Sequence, residues 1–484
     1  MSRWMADCIY LLILLYCLYQ CRIAYGQWYW SGISATKAIC ISGSFHAVTE
    51  FALLLAIFLP AVFYRLLWLL DWKRQNWLNR LLSVLSLLGF IAISALIVVT
   101  CCRSAWIAAS FGCMISLYMF LSKQLALFKP KATHLLWLCM GILLLIAGVY
   151  QFKKDSADGR SLIWKVTIKE LVDNPLAAIS RHPTFSVFYG EAQENYFKTE
   201  NRSERERMLA GAPDYAYNEF LQIIVEQGLP VFLLFSALLF LTFHNLWKSS
   251  LAISIPLIGG LSAWLAAALF SYPLRCYTPC LLFCLYFLCA WSLSFRKQWL
   301  QIAFIAMGES CCHYFLMQKF DKTSLHQLAM QQYAQIENIQ RNRQSEKLAR
   351  CYKNLFPYLL DEPSFTLDYA LFLYELKHYT EARRILNVAQ QRCGDAAFWV
   401  VEGQCYQAER KWHEAESCYM KAFYRIPHKV TPLFLTMNIY KRTGEHKKMK
   451  DMARRIVKMR PKIKSKRFDN IQKEALQVLS SATK

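Results

Sequence analysis

The chain has 484 residues, of which 56% are hydrophobic and 18% charged, and 56 Lys+Arg against 33 Asp+Glu give a formal net charge of +23. This composition excludes a disordered or collagen-like chain, and an ordinary soluble globular protein would have about a quarter charged residues. The sequence therefore predicts a polytopic membrane protein, whose positive charge could serve nucleic acid, anionic lipid or the positive-inside rule.

Nine segments are apolar enough to be considered as membrane spans, since a spanning helix needs about 20 mostly apolar residues. The first lacks a small-x-small cleavage site, so we interpret it as an anchor and not as a signal peptide. The ninth is weaker because it contains Glu309 and His313. The predicted spans are 8–25, 51–70, 81–99, 104–121, 135–152, 229–246, 251–270, 280–295 and 299–317.

The connecting loops predict the orientation of these spans. If the N-terminus is cytoplasmic, most of the lysines and arginines between spans lie in cytoplasmic loops, as the positive-inside rule requires. The long hydrophilic segment 153–228 is then outside the cytoplasm. With nine spans the C-terminal tail is also outside, whereas loss of the ninth would leave it cytoplasmic.

Most of the 18 cysteines lie within apolar segments, where they are typical small packing residues. No Cys-x-x-Cys pair with zinc-ligand spacing is present, so we predict no metal, and we predict no cofactor.

A helical repeat is predicted in the C-terminal tail. Tyr379-Thr380-Glu381-Ala382 is followed 33 residues later by Trp412-His413-Glu414-Ala415, and Pro427 is followed 34 residues later by Pro461. In the middle unit, Gly403 and Ala415 would let two antiparallel helices approach closely. The pattern resembles tetratricopeptide repeats, with a generic helical bundle as the alternative.

The predicted fold class is therefore all-α. Residues 1–318 form a polytopic transmembrane domain with the loop 153–228, residues 319–362 form a helical linker or cap, and residues 363–470 form an α-solenoid of repeats. The basic residues between Lys441 and Lys466 alternate with apolar ones at helical spacing. This pattern favours a solvated helix face near a membrane or an anionic glycolipid over a nucleic-acid site.

The loop carries a distinctive order of residues: Asp158-Gly159-Arg160 and Trp164, then Tyr217-Asn218-Glu219 and Glu226. It resembles the periplasmic loop of the O-antigen ligase and polymerase superfamily, in particular the branch with C-terminal tetratricopeptide repeats. Similar motifs lie in the membrane half, and they are Ser42-Gly43-Ser44-Phe45, Arg103-Ser104-Ala105-Trp106 and Ser271-Tyr272-Pro273.

Two departures from the family pattern bear on function. Larger members have several more spans before the Gly-Ser-Phe motif, whereas this chain has one. Lipopolysaccharide ligases have a histidine before Asn-x-x-Leu, whereas this chain has Tyr217 before Asn218. A histidine base therefore cannot be transferred to this sequence.

The resemblance implies a membrane glycosyltransferase of the inner membrane. Such an enzyme moves a glycan from undecaprenyl pyrophosphate to lipid A-core or another acceptor on the periplasmic face, in lipopolysaccharide biosynthesis. The alternatives are a polymerase of repeat units, or a catalytically reduced scaffold anchored in the membrane. The expected partners are the lipid-linked glycan, its acceptor, the lipid bilayer and proteins bound by the repeats, with no nucleic acid.

The donor requires cations for its diphosphate and a group that removes the acceptor proton. Arg103 is the first candidate for the diphosphate, followed by Arg160 in a predicted Asp-Gly-Arg turn and by Arg275, because guanidinium binds phosphate through bidentate hydrogen bonds. Glu219 and Glu226 are seven residues apart, on one face of a predicted helix, and a carboxylate near the bilayer could act as the base.

Three further residues complete the predicted site. Asn218 would orient acceptor or diphosphate oxygens, Tyr217 would donate a hydrogen bond in place of the histidine, and Trp164 would contact substrate. We therefore predict Arg103, Arg160, Glu219 and Asn218 as catalytic, and Tyr217, Arg275, Glu226 and Trp164 as substrate-binding.

Overall fold

The computed structural model describes residues 3–30, 41–45, 47–69, 76–124, 140–141, 148, 150–151, 154–180, 182–199, 202–295, 297–339, 345–463 and 465–480. These residues form helices and turns and contain no strand, which confirms the predicted all-α class.

The helices of the first 300 residues include most of the predicted spans. They are α1 (Arg3–Trp30), α2 (Val48–Leu67), α3 (Trp77–Val99), α4 (Arg103–Met119), α5 (Lys154–Asp173), α6 (Pro175–Ile179), α7 (Phe185–Lys198), α8 (Glu204–Leu209), α9 (Glu219–Gln227), α10 (Leu229–Lys248), α11 (Leu251–Phe270) and α12 (Tyr277–Ser292).

The remaining helices form the C-terminal part of the chain. They are α13 (Gln298–Ile339), α14 (Ser345–Leu359), α15 (Pro363–Glu375), α16 (Tyr379–Gln390), α17 (Ala396–Ala408), α18 (Trp412–Arg425), α19 (Thr431–Thr443), α20 (His446–Lys458) and α21 (Lys466–Ser480).

Among the described residues, six helical segments are long and apolar enough to cross a membrane: Trp4–Tyr29, Val48–Leu67, Trp77–Val99, Arg103–Ser122, Leu229–Lys248 and Leu251–Phe270. They correspond to the first four predicted spans and to the sixth and seventh, and the chain is a membrane protein. The predicted eighth span corresponds to the shorter apolar helix α12. The ninth lies within α13, which is not among the six, and the fifth falls almost wholly outside the described residues.

The chain packs into two compact units. One, here called the membrane unit, comprises Met1–Lys154, Tyr217–Phe220 and Val231–Lys319. The other, here called the loop–tail unit, comprises Asp155–Ala216, Leu221–Pro230 and Phe320–Lys484. Most of the predicted periplasmic loop therefore belongs to the same unit as the C-terminal tail.

The core of the membrane unit is built around α2, α4 and α11, and small residues let these helices approach closely. A Cβ added to Gly112 of α4 would lie 2.6 Å from the carbonyl oxygen of Gly259 in α11 and 2.5 Å from Pro60 of α2. Helices in a bilayer gain stability from such close van der Waals contact, because burial from lipid brings no hydrophobic gain.

In the loop–tail unit, α15 to α20 form three successive helix pairs. Gly403 of α17 faces the ring of Tyr419 in α18, and a Cβ on this glycine would lie 2.5 Å from that ring. The helix α14 packs on the first pair, where the rings of Tyr352 and Tyr369 stack 5.1 Å apart. Gly403 thus has the packing role predicted for it, while the identification as tetratricopeptide repeats stays a prediction.

Candidate functional site

In the membrane unit, two carboxylates hold the connection between α11 and α12. The Glu219 side chain is buried, and its Oε1 accepts a hydrogen bond from the backbone N–H of Leu274 at 2.7 Å. Glu50, in the first turn of α2, accepts hydrogen bonds from the backbone N–H and the hydroxyl of Thr278 at 3.0 and 3.4 Å. Arg275 lies between these two attachment points and is exposed, so the backbone that presents its guanidinium is held on both sides.

Arg103 belongs to the same part of the membrane unit. Burial, and then the negative charges of Glu50 and Glu219 and the Cys102 thiol group, raise the pKa of Cys276 to about 12. Gly112 of α4 packs against Ala263 and Gly259 of α11, and Ser116 packs against Gly259, so the two helices are antiparallel and the start of α4 lies beside the end of α11. Cys102 caps α4, and Arg103 is the first residue of that helix.

The N-termini of three helices lie in this part of the membrane unit. Glu50 lies in the first turn of α2, Arg103 begins α4, and Cys276 caps α12. The N-terminal end of a helix carries unpaired N–H groups and a partial positive charge, so it stabilises anions. Together with Arg103 and Arg275, these ends supply positive charge that suits a phosphate-bearing group, beside the carboxylates of Glu50 and Glu219.

Tyr217 and Asn218 lead into α9. Asn218 Oδ1 accepts a hydrogen bond from the backbone N–H of Phe220 at 3.0 Å, as a cap does at a helix start. Tyr217 has a φ of +53°, a left-handed conformation that is strained for a residue with a Cβ, and its ring packs edge-on against Tyr272 with centroids 5.7 Å apart. The residue that replaces the family histidine is therefore held by its backbone and by its ring.

Glu226 and Trp164 belong to one hydrogen-bond network in the loop–tail unit. Glu226 Oε1 accepts from the backbone N–H of Phe185 at 3.2 Å and from the amide of Gln222 at 2.9 Å. The Gln222 side-chain oxygen accepts from the backbone N–H of Ala216 at 3.0 Å, and Trp164 Nε1 donates to the Ala216 carbonyl at 2.8 Å. These bonds anchor the backbone immediately before Tyr217.

The predicted Asp-Gly-Arg turn is wrong, because Asp158, Gly159 and Arg160 lie within α5. The carboxylate of Asp158 pairs with Arg205. The half-buried Arg160 side chain thus projects from a helix that buries Leu162 and Val166 on its apolar face.

The Gly-Ser-Phe motif forms a turn tied to α1 by two glutamines. Gln27 accepts from the backbone N–H groups of Ser42 and Gly43 at 3.1 and 3.0 Å, and Gln20 accepts from the Ser44 N–H at 3.0 Å. Gly43 has a φ of +62°, which explains why a glycine stands there.

The eight predicted site residues divide between the two units. Arg103, Tyr217, Asn218, Glu219 and Arg275 are in the membrane unit, whereas Arg160, Trp164 and Glu226 are in the loop–tail unit. As predicted, Glu219 and Glu226 belong to one helix, α9.

Two residues that contact the predicted site, Glu50 and Gln222, were not predicted from the sequence. Gln222 could have been found from its helical spacing of four residues before Glu226. Glu50 had a weaker signal, a carboxylate immediately before a predicted span.

A comparison with known protein families matches part of this chain. The family described as O-Antigen ligase (Wzy_C) matches residues 88–236, a stretch that includes Arg103, Trp164 and all of α9. None of the curated proteins matches the chain. Residues 88–236 are therefore similar to the O-antigen ligase family, which supports a role in the ligation or polymerisation of glycans at a membrane.

Proposed function

We propose that this chain is a glycosyltransferase of the inner membrane that moves a glycan from undecaprenyl pyrophosphate to lipid A-core or another acceptor on the periplasmic face. The family match supports the reaction class. The observation that carries the proposal is the position of Arg103, at the N-terminus of α4 and close to the connection that presents Arg275.

This arrangement suits the departure of a diphosphate. When the bond from the sugar to the lipid pyrophosphate breaks, negative charge develops on the leaving oxygens. Arginine donates charge-assisted, bidentate hydrogen bonds to such oxygens and stays charged at any physiological pH. Donors that are already fixed in place stabilise developing charge without reorganisation. The hydrogen bonds that Glu50 and Glu219 accept hold the backbone on both sides of Arg275.

The other predicted residues receive more specific roles. Glu219 positions the α11–α12 connection through Leu274, and Asn218 sets the start of α9. Tyr217 takes the place of the family histidine next to these groups and contacts the acceptor through its hydroxyl. Trp164 and Glu226 hold the backbone that leads to Tyr217, and Arg160 contacts the glycan from α5.

The loop and the tail occupy the same side of the membrane in this proposal. The positive-inside rule places the loop outside the cytoplasm. Loop residues 155–216 and tail residues 320–484 pack in one unit, which supports placing both on the same side. The tail is therefore assigned to the periplasm, where it can bind partner proteins.

The proposal is tested by deleting the gene and separating the surface glycans on a gel, with complementation by the wild type, Arg103→Ala or Arg103→Lys. Loss of all capped lipopolysaccharide would identify a ligase, and loss of ladder length a polymerase. Arg103→Ala should fail to complement, and lysine should complement partly because it keeps the charge but not the bidentate geometry.

Arg80→Ala is the matched control, since Arg80 lies in the first turn of α3, at the end predicted to be cytoplasmic. It should complement fully if it accumulates to the wild-type level. Full complementation by Arg103→Ala would overturn the catalytic assignment and favour a scaffold in envelope polysaccharide assembly.

A further inference from the structure

The loop–tail unit contains a second site, a cavity of about 570 Å³ between residues 197–198 and 202–208 on one side and the helices α18 to α20 on the other. Its volume lies within the range of ligand-binding pockets. Six cationic side chains line it against one carboxylate, that of Glu204. The six are Lys198, Arg202, Arg207, Arg455, Lys458 and Arg460.

Part of this charge is held in a defined geometry. The Arg202 guanidinium lies 3.9 Å from the centroid of the Tyr196 ring, and it donates hydrogen bonds to the Tyr196 carbonyl and the Thr199 hydroxyl at 3.0 and 3.1 Å. Lys198 pairs with Glu194 at 2.8 Å. A guanidinium fixed in this way loses little conformational entropy when it binds an anion.

Arg460 pairs with Glu204 at 3.4 Å, whereas, among the described residues, the other three cations of the cavity have no such pairing. Within the described part of the chain, no carboxylate lies within 4.0 Å of the side-chain nitrogens of Arg207, Arg455 or Lys458. The local potential also acts on the cavity residue His428, whose pKa is lowered by burial first and then by the charge of Lys462. Like charges that share a cavity repel one another, so an anion bound there would relieve this repulsion.

The walls between these charges are apolar and partly aromatic. Phe197, Phe423 and Tyr424 line the cavity together with Met208 and Met459. Sugar rings present apolar C–H faces that pack on aromatic and thioether groups, while their acidic substituents point outward towards hydrogen-bond donors. A combination of flat apolar walls and unpaired arginines therefore fits an acidic sugar better than a bare phosphate ion.

We infer that this cavity binds a segment of acidic saccharide, with Arg207, Arg455 and Lys458 contacting its carboxylate or phosphate groups. The choice of a saccharide over other anions rests on the proposed function. The bound segment belongs either to the lipid-linked glycan or to the acceptor, and both sources present the same chemistry to the cavity.

The experiment measures binding to the purified full chain in detergent by calorimetry. The probes are an oligogalacturonate, a neutral malto-oligosaccharide of equal length, inorganic pyrophosphate, and vesicles of phosphatidylglycerol. The double variant Arg455→Gln/Lys458→Gln removes two cavity charges from α20. The matched control, Lys447→Gln/Arg454→Gln, removes two charges from the same helix outside the cavity lining.

We expect the oligogalacturonate to bind and the neutral oligosaccharide not to bind. The double variant should bind the oligogalacturonate about tenfold or more weakly, because it loses the charge-assisted hydrogen bonds of two side chains to the sugar carboxylates. The control should bind like the wild type. A synthetic polyprenyl pyrophosphate carrying a uronate, competed against the free oligogalacturonate, distinguishes a donor from an acceptor as the source.

Three results would overturn the inference: equal binding of the neutral sugar, equal loss of binding in both variants, or binding only to pyrophosphate or to vesicles. A failure of the proposed function can be distinguished from a failure of this inference. Arg103→Ala should keep oligogalacturonate binding while it loses transfer in cells, because Arg103 belongs to the membrane unit.

Discussion

Replacing Arg425 by methionine should release α7 from the tail helices. The Arg425 side chain is buried and lies 3.7 Å from the centroid of the Trp399 ring. It donates hydrogen bonds to the Glu194 carboxylate of α7 at 3.4 Å and to the Gly394 carbonyl at 3.2 Å. Methionine retains part of the apolar stem but removes the charge and its donors.

The expected cost follows from these contacts. Removing one partner of a buried ion pair costs about 3–5 kcal/mol, because the other charge stays buried. Here the lower end applies, since Glu194 keeps Lys198 on its other oxygen at 2.8 Å. This free-energy cost also includes the loss of the cation–π contact between Arg425 and the Trp399 ring. A cost of about 3 kcal/mol corresponds to a rise of about 100-fold in the population with α7 detached.

Hydrogen exchange of the α7 amides in the detergent-solubilised full chain measures this population. If α7 opens locally, its amides should exchange about 100-fold faster in Arg425→Met than in the wild type. Arg383→Met is the matched control, because Arg383 also lies over a ring, that of Tyr406, and pairs with Glu409 at 2.8 Å, but within the tail helices. It should leave α7 unchanged.

Unchanged exchange of α7 in Arg425→Met would refute the reasoning, and so would an equal change in the control. A double-mutant cycle with Glu194→Gln adds a second criterion. Because the two side chains are in contact, their effects should be less than additive. Strict additivity would mean that the ion pair does not link the loop to the tail.

Two further predictions concern the loop. Burial alone would raise the pKa of Glu206, but hydrogen bonds from Lys165, Tyr196 and Ser203 lower it to about 2 from the ordinary 4.5. The carboxylate should therefore stabilise the loop above about pH 4.5 and lose this effect as the pH falls towards 2. The rate of proteolysis within the loop should rise over the same pH range. Glu206→Gln should abolish this pH dependence. Secondly, reporters placed after Ala212 and after Lys484 should be active in the same compartment, and a reporter after Ser249 in the opposite one. Opposite compartments for the first two would contradict the packing of loop and tail in one unit.

The membrane spans could be predicted from the sequence because each spanning helix must meet the requirements of the bilayer by itself. A run of about 20 apolar residues satisfies its backbone hydrogen bonds within one helix, whatever its neighbours are. The predicted turn at Arg160 failed for the opposite reason. An Asp-Gly pair favours a turn by itself, but burial of Leu162 and Val166 on one face of α5 stabilises a continuous helix.

The candidate site was only partly predictable. Arg103 and Glu219 could be predicted as site residues because the residues around them resemble family motifs, and this assignment stays a prediction. Glu50 was missed, because its role depends on a hydrogen bond to Thr278, 228 residues later in the chain. Substrate binding by Trp164 and Glu226 stays a prediction; their hydrogen bonds to backbone groups of the loop, at Ala216 and Phe185, could not be read from the sequence.

By itself the sequence determined that this is an all-helical membrane protein with a hydrophilic loop and a helical tail, since composition and periodicity are properties of neighbouring residues. Only the tertiary structure decided that the loop packs with the tail. That contact joins Arg425 to Glu194 across 231 residues, and it requires Gly190, where a Cβ would lie 3.2 Å from Gly394. No local pattern encodes such a match of charge and shape, because each partner is an ordinary helix residue until the other is brought against it.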